Sequence, residues 1–533
     1  MRMIKKLNLV IFFLIFFGLI SSCIKKPMNK ADNQILRINY NVDLQSFQPY
    51  LVSDVRTHTV CKALYEGLTR INLQGKVEFA AAEKVSISPC KKIYTFTLRP
   101  SVWSNGQKVT AQYFVKAWEK AISSDSKCIH VKRFFLIKNA KKFYQEELPF
   151  DKVGIKAPSN NTLIIELEHP APYLLQLVAD PIYSPIYNPD EKGLPNVFNG
   201  PFVIEHHEFN KQLTLSANPL YWDKATVTLK KIEISFIKDA QTAFFMYKNN
   251  QFDYIGSPFT NIPEDIIPTL SNIKFRQASA PFWMFFNVQN PKFKSSKIRR
   301  ALAYAINRED IINHVIPNQK EVMYTILPKD ITATDLEPLL KNINVEKAQK
   351  LFEAGLRELK FSKENFQITI NHSSSSEQRK ISLYLKHQWE KIFGIKIHLK
   401  MSDWNSFFSK LLSGDYEIGG SFNCNIFNDS SYFMETFQYS HSNYSKWENE
   451  NYKNNFNLSK NCIDEKQRKK YLKAAEEVLL DEMPVIPIYN HTHLYICNES
   501  LINFSPPKFN CSDFKWVYFR IKNQPIPQPY YGL

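Results

Sequence analysis

Residues 94–118 read YTFTLRPSVWSNGQKVTAQYFVKAW, and three structural signals follow one another within them. Tyr94, Phe96 and Leu98 alternate with threonines, the period of a half-buried strand that begins at Lys92. Trp103-Ser104-Asn105-Gly106 is a turn, its Asn-Gly suited to positive backbone φ. Thr110 is the predicted N-cap of the next helix, because its hydroxyl can accept an otherwise orphaned backbone N–H. Ala111, Phe114, Val115, Trp118, Ala121 and Ile122 then recur at helical spacing.

The same alternation continues outward. Strands are predicted at 35–40, 162–168, 202–206, 212–216 and 227–237, with a helix around 59–68. After Asn287 helices dominate, at 298–313, 345–359, 377–393, 404–413 and 465–482, with apolar strands 366–370 and 395–399 between them. Residues 483–489 return to extended structure. Mixed alternation without an internal repeat predicts α/β lobes.

Composition narrows the function. The chain has 533 residues, 44% hydrophobic and 22% charged, which excludes a disordered, collagen-like or multi-span membrane protein. Only 14 residues are Gly, and neither GxGxxG nor GxxxxGK[ST] occurs. GxSxG, HExxH and kinase signatures are also absent. His206-His207-Glu208 lacks zincin spacing, while His491 and His493, two apart on a strand, could share a metal or simply be partly buried. No CxxC occurs, and the seven cysteines besides Cys23 are an odd number, so at least one is not paired within the chain. No cofactor is expected.

The N-terminus has its own character. Arg2, Lys5 and Lys6 precede an apolar run, residues 7–20, then Ser21, Ser22 and Cys23. That core is short for a membrane span and right for a secretory signal over residues 1–22; an uncleaved anchor is the alternative. Ile20-Ser21-Ser22-Cys23 resembles a bacterial lipoprotein processing box, which implies lipidation of Cys23 and a tether over 23–30. Losing residues 1–22 lowers the formal charge from +17 to +14 by removing Arg2, Lys5 and Lys6. The remaining basic residues are scattered, which together with export argues against nucleic acid as partner.

The quoted stretch resembles the extracytoplasmic oligopeptide-binding proteins of ABC importers, through Leu98-Arg99, Trp103–Gly106 and Val109-Thr110-Ala111. Three further matches follow the family's order: Tyr65-Glu66-Gly67-Leu68; Asn199-Gly200-Pro201-Phe202 with Leu215, Asn218-Pro219 and Tyr221-Trp222-Asp223; and Phe285-Phe286-Asn287 through Arg308. The resemblance implies an α/β, three-lobed periplasmic-binding-protein fold with a ligand cleft between two hinged lobes. Lobe I would comprise 31–66, 199–278 and 488–533, lobe II 67–198 and lobe III 279–487. It further implies a monomer that is no enzyme, lipid-anchored in the periplasm or at the cell surface, giving short peptides to ABC permease subunits.

An extended peptide exposes one N–H and one C=O per residue, so a strand-like edge can grip it whatever its sequence. The resemblance places Phe422, Cys424, Asn425 and Gly420 at the ligand, with Ser53 and Val55 in a backbone-pairing loop, Trp404 in a pocket wall or the core, and Tyr489 in either. Family members often set an Asp against the peptide's ammonium; Asn425 stands there, with Asp429 as a possible substitute. Gly419 stands where some members use an Arg for the carboxylate. These departures suggest altered cargo, such as a murein peptide. A metal chelate, heme, or an exported enzyme or adhesin are the alternatives.

Overall fold

The computed structural model describes residues 34–52, 54–188, 196–329, 331, 340–341, 343–438, 443–509 and 511–520. The predicted signal, Cys23 and Ser53 lie outside them.

In chain order the principal strands are β1 (Ile35–Tyr40), β2 (Ala82–Ile87), β3 (Ile93–Leu98), β4 (Ile155–Ser159), β5 (Thr162–Glu166), β6 (Phe202–Glu208), β7 (Gln212–Ala217), β8 (Lys231–Phe236), β9 (Tyr254–Gly256), β10 (Lys274–Phe286), β11 (Gln367–Ser373), β12 (Lys396–Ser402), β13 (Ile418–Phe422) and β14 (Val485–Cys497). The helices used below are α1 (Val55–Leu64), α2 (Ala111–Ile122), α3 (Ser296–Tyr304), α4 (Val345–Leu359), α5 (Ser376–Phe393), α6 (Trp404–Ser413) and α7 (Glu465–Glu482). One large sheet runs β12-β11-β13-β10-β14-β9-β1-β8-β7-β6, and a separate sheet runs β2-β3-β5-β4.

Three regions of core follow from this. The first gathers Leu36, Ile38, Leu64, Leu215, Ile234 and Phe514. The second lies under the small sheet, where Phe96, Trp103, Phe114, Trp118 and Ile165 meet. The third is double, because β10 alternates: Phe282, Met284 and Phe286 face a core with α5, whereas Trp283 and Phe285 face one with α6 and α7. A sheet covered on both faces needs apolar residues at every position, and 281–286 (PFWMFF) supplies them.

Strand β14 passes from the third core, through Ile486, Ile488 and Tyr489, to the first, through Tyr495 and Cys497, and β10 runs antiparallel beside it; each is 13 residues long. Their ladder shifts register twice, between Gln277 and Pro281 and between Phe282 and Trp283, and the first shift is the larger. Gln277 pairs with Thr492 and Pro281 with Asn490, so three residues on β10 oppose one on β14. A bulge bends a ladder locally, and this one lies at the buried residues Ala278, Ser279 and Ala280.

Several expectations are corrected. Thr110 is the N-cap of α2, but its hydroxyl makes no capping bond; Ala111 N–H donates to the Asn160 carbonyl (2.8 Å) instead. The helix expected at 59–68 spans α1, because the Asp54 carboxylate caps Arg56 and Thr57 N–H, and Tyr65 onward is held extended. The helix expected at 298–313 breaks after Tyr304, where Asn307 accepts from Asp310 N–H and starts a new turn. The strand expected at 227–237 is limited to β8, since Lys224–Thr226 forms a 3-10 turn.

Candidate functional site

Strands β11, β12 and β13 are mutually parallel, with β11 in the centre. Their crossover helices α5 and α6 lie on opposite faces of the sheet, in different cores. Parallel strands whose connections diverge in this way leave a crevice at their carboxyl ends, the usual place for a ligand in open α/β sheets. Ser373, Ser402 and Phe422 end the three strands there.

Beyond Phe422 the chain stays extended. Asn423 N–H donates to Pro281 O (3.1 Å) and Asn425 N–H to Ser279 O (2.9 Å), so 423–425 continue the ladder alongside the β10 bulge. On the opposite side, β11 pairs with β13 only at Ile370–Ile418 and Asn371–Gly419. Among the described residues no strand flanks that side of 420–425.

An aromatic row lines the start of this segment. Phe282 stacks on Tyr489 (centroids 5.2 Å) and meets Phe422 edge-on (5.1 Å), and Phe422 contacts His491 (5.3 Å). Phe422 is half-buried, whereas Tyr489 has no exposed surface and donates its hydroxyl to Glu377 Oε1 (2.9 Å). Tyr489 is therefore a core aromatic in this structure, not a wall residue. Burial raises the Glu377 carboxyl, against the lowering effect of the Tyr489 hydrogen bond. His491 is held neutral by desolvation, its pKa lowered to about 4.

Cys424 keeps exposed surface, yet desolvation pushes its thiol up to about 11. Across from it, Phe427 leaves the third core and packs in the second, stacked on Tyr173 (4.4 Å, 8°). Asn428 N–H donates to Gln176 Oε1 (2.8 Å). The neighbouring Tyr432 phenol is pushed up to about 12, chiefly by burial, with Arg133 opposing the shift. Arg133 itself is paired to Asp180 (3.1 Å). A second bridge crosses from the first region to α5, Glu264 to Lys380 (3.0 Å).

The remaining expected residues fall unevenly. Asn425 is buried, its Oδ1 accepting from Phe427 N–H (3.1 Å). Asp429 is held by both Arg468 nitrogens (2.8 and 3.0 Å), so it is not a free substitute for a missing carboxylate. Gly420 lies under Phe282 with no room for a side chain, and only its backbone reaches the strand edge. A Cβ on Gly419 would sit 2.8 Å from Leu411 Cδ2, on the α6 side, so an arginine could not be housed there without repacking α6. Val55 opens α1, and its carbonyl accepts from Thr59 Oγ1 (2.7 Å); it is not in an extended loop. Trp404 is 48% exposed and stacked on Phe408 (5.6 Å), which excludes a core role. It opens α6, just past the carboxyl end of β12. Glu377, Ser279, Arg133 and Tyr432 were not singled out from sequence, since each gains its place only through tertiary contact.

Other chemistry is accounted for. His207 lies 3.2 Å from the Asp43 carboxylate, and His493 Nδ1 lies 2.7 Å from Ser257 Oγ. Among the described residues no group of three or more His, Cys, Asp or Glu could hold a metal ion, all seven cysteines are free thiols, and no helix is long and apolar enough to cross a membrane. The shallow depression lined by Ser123, Phe143, Glu146 and Pro149 lies by the second core, away from this edge.

Comparison with known proteins agrees with this geometry. Over 97% of its length the chain is 31% identical to the whole of the oligopeptide-binding protein OppA of Bacillus subtilis. The murein tripeptide-binding protein MppA of Escherichia coli superposes with a TM-score of 0.77 at 21% identity, covering 91% of this chain and 98% of MppA. OppA of Haemophilus influenzae, solved with the peptide RPPGFSPFR, gives 0.75 at 22% identity over 92% and 99% of the two chains. Residues 76–445 match the family described as bacterial extracellular solute-binding proteins, family 5. With a crevice at the ends of its parallel strands and this extent of similarity, the chain belongs to the family 5 extracellular solute-binding proteins, which are binding proteins and not enzymes.

Proposed function

We propose that this chain captures short peptides outside the cytoplasmic membrane and delivers them to an ABC permease, as a monomer anchored through lipid on Cys23. The observation that carries the reading is the backbone edge at 420–425. It is bonded to β10 on one side only, and it sits where three parallel strands end. An extended peptide can add there as a strand, with its main-chain groups paired and its side chains left to hydrated space. The names of the relatives, which include oligopeptide-, dipeptide- and murein peptide-binding proteins, support the same cargo class.

The lobes would be 31–66, 199–278 and 488–533; 67–198; and 279–487. Closure would turn about the β10 bulge, with Phe427 on Tyr173 and Lys380 on Glu264 as closing contacts. Hinge closure around a ligand is a common mode for such proteins.

Murein-derived peptide is the second reading, favoured by one observation: a neutral, buried Asn425 stands where the family resemblance implies an Asp for the amino end. Native mass spectrometry of protein purified without denaturation separates the readings. Peptides of mixed sequence support general capture, one defined murein peptide mass supports the second, and a single non-peptide mass contradicts both.

A further inference from the structure

Two buried polar atoms beside the bulge have no partner. Asn425 and Ser279 are each 2% exposed, and Asn425 Nδ2 and Ser279 Oγ make no hydrogen bond. Buried polar groups are nearly always satisfied, so two orphans at one place ask for a missing partner. They are at one place: Phe422 pairs with Phe282, Asn423 N–H bonds Pro281 O, and Asn425 N–H bonds Ser279 O. In that continuous antiparallel register, residues 425 and 279 are directly opposite, and opposed side chains share a face with Cβ atoms about 4.5–5.5 Å apart.

The polarity of Asn425 is fixed. Phe427 N–H is a donor, so the Asn425 atom it meets must be the oxygen, and the amide cannot be turned without setting donor against donor. Asn425 therefore presents N–H, and Ser279 can present O–H beside it. The preceding residue is Cys424, which keeps exposed surface and whose thiol stays protonated and neutral. The nearest carboxylate along the chain, Asp429, is neutralised by Arg468. A ligand ammonium would meet the Asn425 N–H, a donor where it needs an acceptor, and the neutral Ser279 hydroxyl would have to accept from it.

We infer that Asn425 Nδ2 and Ser279 Oγ form a donor subsite for a ligand oxygen, and that it selects peptides whose amino end is acylated over peptides with a free ammonium. This rests on the peptide reading above. An acyl carbonyl offers two lone pairs, enough for both donors, and brings no charge to desolvate.

Calorimetric titration with N-acetyl-trialanine and with trialanine tests the subsite in three proteins. The wild type is expected to bind the acetylated peptide about tenfold more tightly. Asn425→Asp keeps the oxygen that Phe427 needs and replaces the donor by an acceptor, and is expected to reverse the preference. Ser279→Ala is expected to weaken the acetylated peptide several-fold more than trialanine. A wild type that prefers trialanine, an Asn425→Asp that shifts both peptides equally, or binding of neither peptide overturns the subsite. Peptides that co-purify with free amino ends would also overturn it while leaving peptide capture intact; a single non-peptide mass would sink the capture reading itself.

Discussion

Asn199 clasps the backbone of Glu66: its Oδ1 accepts from Glu66 N–H (3.0 Å) and its Nδ2 donates to Glu66 O (3.0 Å), with both residues buried. Gly200 beside it closes on the same turn, since a Cβ there would meet the Leu64 carbonyl carbon at 2.5 Å. Asn199→Ala would strand two buried main-chain groups, each costing about 1–3 kcal/mol. Urea unfolding is expected to show a loss of about 2–4 kcal/mol. Peptide affinity is expected to stay unchanged, because the clasp lies outside the crevice.

Tyr173 and Phe427 join the second core to the segment that carries Asn425. Stacked rings contribute about 0.5–1.5 kcal/mol beyond burial. If they brace the closed state, Tyr173→Ala should accelerate peptide release by roughly 2- to 10-fold. Stopped-flow dissociation measures this, and thermal unfolding should shift little because Tyr173 is only partly buried.

His491 gives the fold a sign in its pH dependence. Desolvation lowers it to about 4, whereas an unfolded histidine titrates near 6.5. Between those values the unfolded chain binds the extra proton, so stability is full above about 6.5 and falls as pH drops towards 4. Removing the group removes that part of the slope. Urea midpoints at pH 7 and pH 5 should converge in His491→Gln by on the order of 1 kcal/mol relative to the wild type; an unchanged gap would exclude His491 as a source.

The family was legible because three of its four motifs meet at one structural junction. Glu66, held by Asn199, also pairs with Arg70 and accepts the Tyr221 hydroxyl (2.6 Å), and Arg99 lies over Trp222 (3.7 Å). These contacts join two cores and touch no ligand edge, so they identify the fold and leave the cargo open. Helices α4, α6 and α7 were readable to the residue because Asn344, Asp403 and Asp464 cap them locally. Strand β13 was not, since Gly419-Gly420 reads as loop. Its glycines are demanded by Leu411 and Phe282 pressing from either face, which is tertiary packing. Val55 illustrates a different failure: Asp54, a good cap, moved the helix start four residues upstream and took the carbonyl away from any peptide. The Asn425–Ser279 pair needs a register between strands some 140 residues apart in sequence, which one chain's pattern does not specify.

The proposed peptide capture turns on a main-chain grip that is indifferent to side chains. Its most direct measurement is calorimetric binding of one acylated peptide, a scrambled version of it, and a version N-methylated at alternate amides. The scrambled peptide is predicted to bind within about tenfold of the parent, and the N-methylated one to lose more than tenfold. Equal binding of the N-methylated peptide, or loss on scrambling alone, would contradict the grip.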